Sequence, residues 1–147
     1  MGFDYDEKDM KILRLLSENS RLSFRQLASK AGLHPNTVIS RIKRMEEAGV
    51  IEKYTLKMNY RKLDYLVRAV IQVDIHGQVG AAARKIAKLP GIREVYRTTG
   101  EYDVFATAVC RQIEDLNILI SAIGSMPEVK RSNTKIVLET LDMNPEF

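Results

Sequence analysis

Residues 23–49 read SFRQLASKAGLHPNTVISRIKRMEEAG, a stretch that spells two helices and a tight turn. Ser23 with Gln26 three positions on is a capping-box pattern, in which the hydroxyl takes an orphan helical N–H and the amide reaches back to the cap. Leu27, Ala28 and Ala31 give this helix one apolar side. Gly32 supplies the left-handed residue on which a helix ends. Only Leu33 and His34 intervene before Pro35, which suits the first position of the next helix, and Gly49 marks that helix's end. Pro35 to Ala48 would span about 21 Å at ~1.5 Å per residue.

On a helical wheel, Val38, Ile39, Ile42 and Met45 fall to one side of the second helix. Asn36, Thr37, Ser40, Arg41 and Arg44 fall to the other, with Lys43 at the flank. The outer face thus carries hydroxyls, an amide and cations, with no carboxylate before Glu47. Such groups donate to phosphates and to base edges in a major groove. Charge agrees. Residues 1–62 hold 13 Lys+Arg against 8 Asp+Glu (+5), and residues 63–147 hold 10 against 11 (−1), which sums to the chain's +4. From Asn19 to Met45 there are six basic residues (Arg21, Arg25, Lys30, Arg41, Lys43, Arg44) and no acid. Fixed carboxylates would repel phosphate, so their absence points to a polyanion. The pattern reads as a helix-turn-helix on double-stranded DNA. Its candidate contacts are Arg25, His34, Asn36, Thr37, Ser40, Arg41, Lys43 and Arg44.

Working outward, Asp6, Glu7 and Asp9 open an earlier helix, where the dipole favours negative charge. Ile12, Leu13 and Leu16 give that helix its stripe. Downstream, residues 50–57 (VIEKYTLK) are β-rich and predict a strand, either a wing or a lead-out. Residues 59–65 are polar and aperiodic, which predicts a linker. The expected domains are 1–57, a linker over 58–66, and 67–147.

The last two thirds repeat a unit. Val67, Ala69, Ile71, Val73 and Ile75 alternate with polar residues, as a half-buried strand does. A helix over 81–88, a strand over 92–98, a turn at Thr99-Gly100-Glu101 and a strand over 103–110 follow. A helix over 115–125, with Leu116, Leu119, Ile120 and Ile123 inward, precedes a last strand over 132–141. Leu89-Pro90-Gly91-Ile92 and Met126-Pro127-Glu128-Val129 end the two helices in the same way. The fold expected is α+β: an N-terminal winged helix-turn-helix domain and a ferredoxin-like βαββαβ domain with both helices on one sheet face. The third strand is apolar on both sides, so the other face is expected to pair sheet against sheet with a second copy.

Other classes are disfavoured. No apolar run nears the ~18 residues of a membrane span, and the N-terminus has no signal-peptide pattern, so a cytoplasmic protein without a membrane partner is expected. The lone Cys110, flanked by apolar residues, reads as a buried hydrophobe. The two histidines, His34 and His76, have no ligand-spaced companions. No phosphate-binding glycine loop occurs. No cofactor, metal or catalytic set is expected.

The chain resembles the Lrp/AsnC, or feast/famine, family of transcriptional regulators over essentially its whole length. The matching residues are Asp6-Glu7-x-Asp9-x-x-Ile12-Leu13-x-x-Leu16, Arg21-x-Ser23, Leu27-Ala28, Gly32-Leu33, Arg41-x-x-x-Met45-Glu46-x-x-Gly49-Val50-Ile51 and Tyr54. Further on they are Pro90-Gly91-Ile92, Thr99-Gly100-Glu101-Tyr102-Asp103, Pro127-x-Val129 and Thr134. The resemblance implies a strand crossing to a partner subunit, dimers that often form octamers, and a small effector, commonly an amino acid. It implies an effector site between effector domains near the turn, at Thr99, Gly100, Glu101, Tyr102, Asp103 and Thr134. One departure is His34, where the family usually has serine, a better cap. Some haem-pathway decarboxylases resemble the same domain pair; for that alternative His76 and Arg97 would be the visible porphyrin-pocket candidates.

Overall fold

A computed structural model describes residues 2–140 and divides into two compact units, 2–57 and 58–140. The first holds α1 (Glu7–Glu18), α2 (Phe24–Ala31) and α3 (Pro35–Glu47). Each start is fixed by a side chain. Asp6 accepts from the backbone N–H groups of Lys8 and Asp9, and the Asp9 carboxylate accepts from that of Asp6. Ser23 and Gln26 form the reciprocal box on α2, and Gly32 closes that helix at φ 71°. His34 caps α3 through Nδ1, which accepts the Asn36 N–H at 3.3 Å. An accepting Nδ1 puts the ring proton on Nε2. Ile12, Leu27, Ala28, Val38, Ile42 and Met45 form the core between the helices.

Two expectations fail here. Ile39 is not on the buried side; it is 41% exposed. The buried arc of α3 centres on Val38, Ile42 and Met45, and Ile39 lies roughly 100° from Val38. Residues 50–57 form no strand; a strand needs a neighbouring strand to take its N–H and C=O groups, and no described strand pairs with this segment. The segment is instead anchored at its start and middle. The N–H groups of Val50 and Ile51 donate to the Met45 carbonyl, and the Tyr54 hydroxyl donates to Glu46 at 2.9 Å. Burial, and then the Glu46 carboxylate, push the Tyr54 hydroxyl up to a pKa of about 12.

The second unit is an antiparallel sheet in the order β2-β3-β1-β4, made by β1 (Val67–Ile75), β2 (Ile92–Arg97), β3 (Val104–Cys110) and β4 (Val129–Ile136). Helices α4 (Val79–Ala87) and α5 (Ile113–Gly124) supply the crossovers. Ala69, Ile71, Val73 and Ile75 of β1 and Val104, Ala106 and Ala108 of β3 pack with Ala82, Ile86, Leu116, Leu119 and Ile123 of the helices. This is the βαββαβ order expected. The two helix exits match down to their hydrogen bonds: Ile92 N–H reaches the Leu89 carbonyl and Val129 N–H that of Met126. The last strand starts three residues earlier than expected and ends at Ile136; the expected end at Leu141 lies outside the described residues.

Residues 58–66 are not a loose linker. Tyr60–Leu63 is a 3₁₀ turn capped by Asn59. Arg93 stacks on the Tyr60 ring and Arg111 on that of Tyr65, and the two rings meet edge to face. The open sheet face is also less apolar than β3 alone suggested. The strand registers put Val70, Phe105, Val109 and Tyr96 there beside Arg68, Gln72, Asp74, Glu94, Thr107, Arg131, Asn133 and Lys135. Among the described residues no helix is long and apolar enough to cross a membrane.

Candidate nucleic-acid interface and effector turn

The exposed arc of α3 runs through Asn36, Ile39, Ser40 and Lys43, with His34 at its N-terminal end and Thr37 half-buried at its flank. Arg25 is exposed on α2. Lys43 has 73% of its side chain exposed and lies 3.7 Å from Glu47 one turn on. Ser40 donates its hydroxyl to the Thr37 carbonyl, which leaves its oxygen free to accept.

Arg41 and Arg44 have other work. Arg41 Nη1 lies 2.8 Å from both Asp6 and Asp9, and Arg44 Nη2 lies 2.6 Å from Asp9. Arg44 also stacks on Phe3 at 4.8 Å. The Asp9 side chain is fully buried and that of Arg41 is 21% exposed. These arginines fasten α3 to α1, which differs from the free phosphate contacts expected of them. The hydrogen bonds to Asp9 and then Asp6 hold Arg41 charged above the usual arginine range. The sequence shows the acids and the arginines, but pairs 32 and 35 residues apart become visible only when the helices pack.

The second candidate is the β2–β3 turn. Thr98 N–H donates to the Asp103 carbonyl, and the Thr98 hydroxyl to that of Tyr102. Gly100 sits at φ 107°, a left-handed conformation that disfavours any side chain. Asp103 is structural: its Oδ2 accepts the Ile75 N–H at 2.8 Å, and its own N–H bonds to the Val73 carbonyl. Glu101 is ion-paired with Arg131 at 3.0 Å. Arg131 also bonds to Asp74 and stacks on the Tyr102 ring at 4.9 Å. Burial raises the Asp74 pKa, but hydrogen bonds from Arg131 and Lys130 outweigh it and hold that carboxyl below its ordinary value.

Thr99, Glu101 and Tyr102 line an open hollow of about 440 Å³ with Gln72, Phe105, Asn133 and Lys135. Thr134 is not in its wall. Its register partner is Ile71, which places it on the helix-facing side, and its buried hydroxyl has no hydrogen-bond partner among the described residues. Gln72, Asn133, Lys135 and Arg131 were missed. Alternation along the last strand would have put Arg131, Asn133 and Lys135 on one face, but that this face adjoins Gln72 of β1 and meets the turn depends on the sheet order. Of the decarboxylase candidates, the His76 N–H bonds to the Glu128 carbonyl, and Arg97 lies beside Gly80 of α4. Among the described residues no group of three or more His, Cys, Asp or Glu could hold a metal.

Comparison with known proteins bears on both candidates. Residues 5–52 match a family model described as winged helix-turn-helix DNA-binding, and residues 68–147 one described as the Lrp/AsnC ligand binding domain. An HTH-type transcriptional regulator of Pyrococcus furiosus is 39% identical, over 92% of this chain and 93% of its own length. The solved structure of E. coli AsnC is 30% identical, with a TM-score of 0.85 over 97% of each chain. A feast or famine regulatory protein of M. tuberculosis, solved in complex with L-methionine, shares the fold at a TM-score of 0.88 and 24% identity, over 97% of each chain.

Proposed function

The chain belongs to the Lrp/AsnC family of transcriptional regulators, and from that premise we propose how it divides the work. The α3 face reads DNA, and the second unit pairs copies of the chain and takes a small effector. The observation that carries this is the acid-free exposed arc of α3, Asn36 to Lys43, following a short turn after α2. A helix of 13 residues presented this way fits a major groove, its N-terminal residues at base edges. Arg25 and Lys43 supply phosphate contacts, while Arg41 and Arg44 hold the helix at its angle.

The working form is a homodimer, assembling further to an octamer, with DNA-binding domains of residues 1–57 and effector domains of 67–147. Segment 50–57 then has a strand partner in the second copy, and the open sheet face a cover. A symmetric dimer favours pseudo-palindromic sites with half-sites one helical turn, or a multiple, apart. The effector is an amino acid held near the turn, with backbone N–H groups at Gly100 for its carboxylate and the Glu101 carboxylate, exchanged from Arg131, for its ammonium. The mycobacterial methionine complex supports that class of ligand. The place of work is the cytoplasm.

Selection of bound duplexes from a random pool, repeated with an amino-acid mixture, tests both halves. Enrichment of a two-fold-symmetric sequence is expected, with its affinity changed by at least one amino acid. No enrichment would sink the DNA reading. Enrichment indifferent to every amino acid, together with no calorimetric heat from any of them, would sink the effector reading alone.

A further inference from the structure

Ile39 is a large aliphatic side chain, 41% exposed, on the arc of α3 that otherwise carries Asn36, Ser40 and Lys43. At roughly 100° per residue it lies about 40° from Lys43 and 60° from Asn36 around the helix axis, so it shares their face rather than the core's. Its neighbours in the core are complete without it: Val38, Ile42 and Met45 are at most 4% exposed. A β-branched aliphatic residue in the exposed middle of a short helix contributes nothing to helix propensity and leaves apolar area in water.

The same face carries no free arginine. Bidentate Arg or Lys to the O6 and N7 of guanine is the commonest specific base contact. Both arginines of α3 are held by Asp9, Arg41 by Asp6 as well. What remains, besides His34 at the helix start and the half-buried Thr37, is an amide, a hydroxyl, one lysine near Glu47, and an aliphatic group. An amide matches the N6 and N7 edge of adenine, and an apolar side chain matches the 5-methyl of thymine.

We propose that Ile39 is a specificity residue that packs on a thymine methyl group in the major groove, with Asn36 on an adenine nearby, so that these two side chains read an A·T step in each half-site. This rests on the DNA reading above and sharpens it to one atom of the operator. It also explains why the face tolerates an exposed isoleucine: the cost in the free protein is recovered when the methyl and the side chain exclude water together.

The test uses the full chain and the duplex recovered from the random pool. Each thymine is replaced in turn by deoxyuridine, which keeps the base pair and deletes the methyl. Burying one such carbon is worth ~0.8 kcal/mol, or about a four-fold change in affinity at ~1.4 kcal/mol per decade. At one or two thymines in each half-site, deoxyuridine is expected to weaken the parent protein about four-fold. The Ile39→Ala variant, whose exposed site leaves the fold intact by circular dichroism and melting, is expected to bind both duplexes equally. Uracil tolerated at every thymine by the parent protein, or a methyl effect that persists in Ile39→Ala, would overturn the proposal while leaving DNA binding itself established. A pool that yields no bound duplex refutes the DNA reading and this proposal with it.

Discussion

Asp9 has no exposed side-chain surface, yet Glu7 and Lys8 before it on α1 are charged and exposed. Removing a carboxylate from water costs several kcal/mol unless donors fill its lone pairs. Here Arg41, Arg44 and the Asp6 N–H fill them. Removing one side of such a pair leaves an uncompensated charge. Asp9→Ala is therefore expected to lower the unfolding free energy by about 3–5 kcal/mol in urea titration, and to cost DNA affinity only through the misplaced helix. A loss under about 1 kcal/mol would show that Arg41 and Arg44 are solvated rather than anchored. Asp6 answers to pH. The Asp9 N–H foremost holds the Asp6 carboxyl below its ordinary 3.8; burial pushes the other way, and the hydrogen bond from Arg41 adds to the lowering. Its folded value lies below the unfolded one, so the ionised form stabilises the fold above about pH 4. That contribution fades as pH falls through the folded value. Asp6→Asn should cost stability at neutral pH and flatten the acid limb of the stability curve; a variant whose acid limb superposes on the parent's would contradict this.

At the scale of elements, the β2–β3 turn stands on one carboxylate. Asp103 accepts the N–H of Ile75, the last residue of β1, and so ties the turn to the strand beneath it. A hydrogen bond to a charged acceptor is worth about 1.5–3 kcal/mol, and Asp103→Ala should cost about that much in thermal or urea unfolding. Asp103→Asn keeps an oxygen acceptor and should recover most of the loss; an Asn variant as damaged as Ala would point to charge rather than to the bond. Glu101, ion-paired at the surface, should cost little by the same measurement. The elements were legible wherever a residue acts on its own stretch of backbone, as Ser23 and Gln26 do at a cap, Gly32 at an end, and Val67 to Ile75 through their two-residue period. They were not legible where a residue acts on a distant partner. The β-rich residues 50–57 read as a strand because propensity is local, whereas a ladder is not. Ile39 read as core because an isoleucine inside an apolar run usually is. Gln72 and Asn133 face one hollow only because β1 and β4 are neighbours in the sheet, which no stretch of either strand records.

At the scale of the whole molecule, the reassignment of two arginines changes how DNA binding should depend on salt. Neutralising Z phosphates gives a slope of about −0.9Z in log affinity against log salt. Six cations lie between Asn19 and Met45. Arg41 and Arg44 already neutralise Asp9, which leaves Arg21, Arg25, Lys30 and Lys43. If all four met phosphate in both copies of a dimer, eight contacts would give a slope of about −7; six per copy would give about −11. A measured slope no steeper than about −7 is expected for the helix-turn-helix. Arg25→Ala should reduce it by about 2, one unit for each copy, while Arg41→Met should weaken binding at every salt concentration and leave the slope nearly unchanged. The two variants thus separate a cation that meets the phosphate backbone from one that sets the helix at its angle. A slope that fell by about 2 in Arg41→Met would return that residue to the phosphates, and the Asp9 pair would then be a contact of the free protein alone.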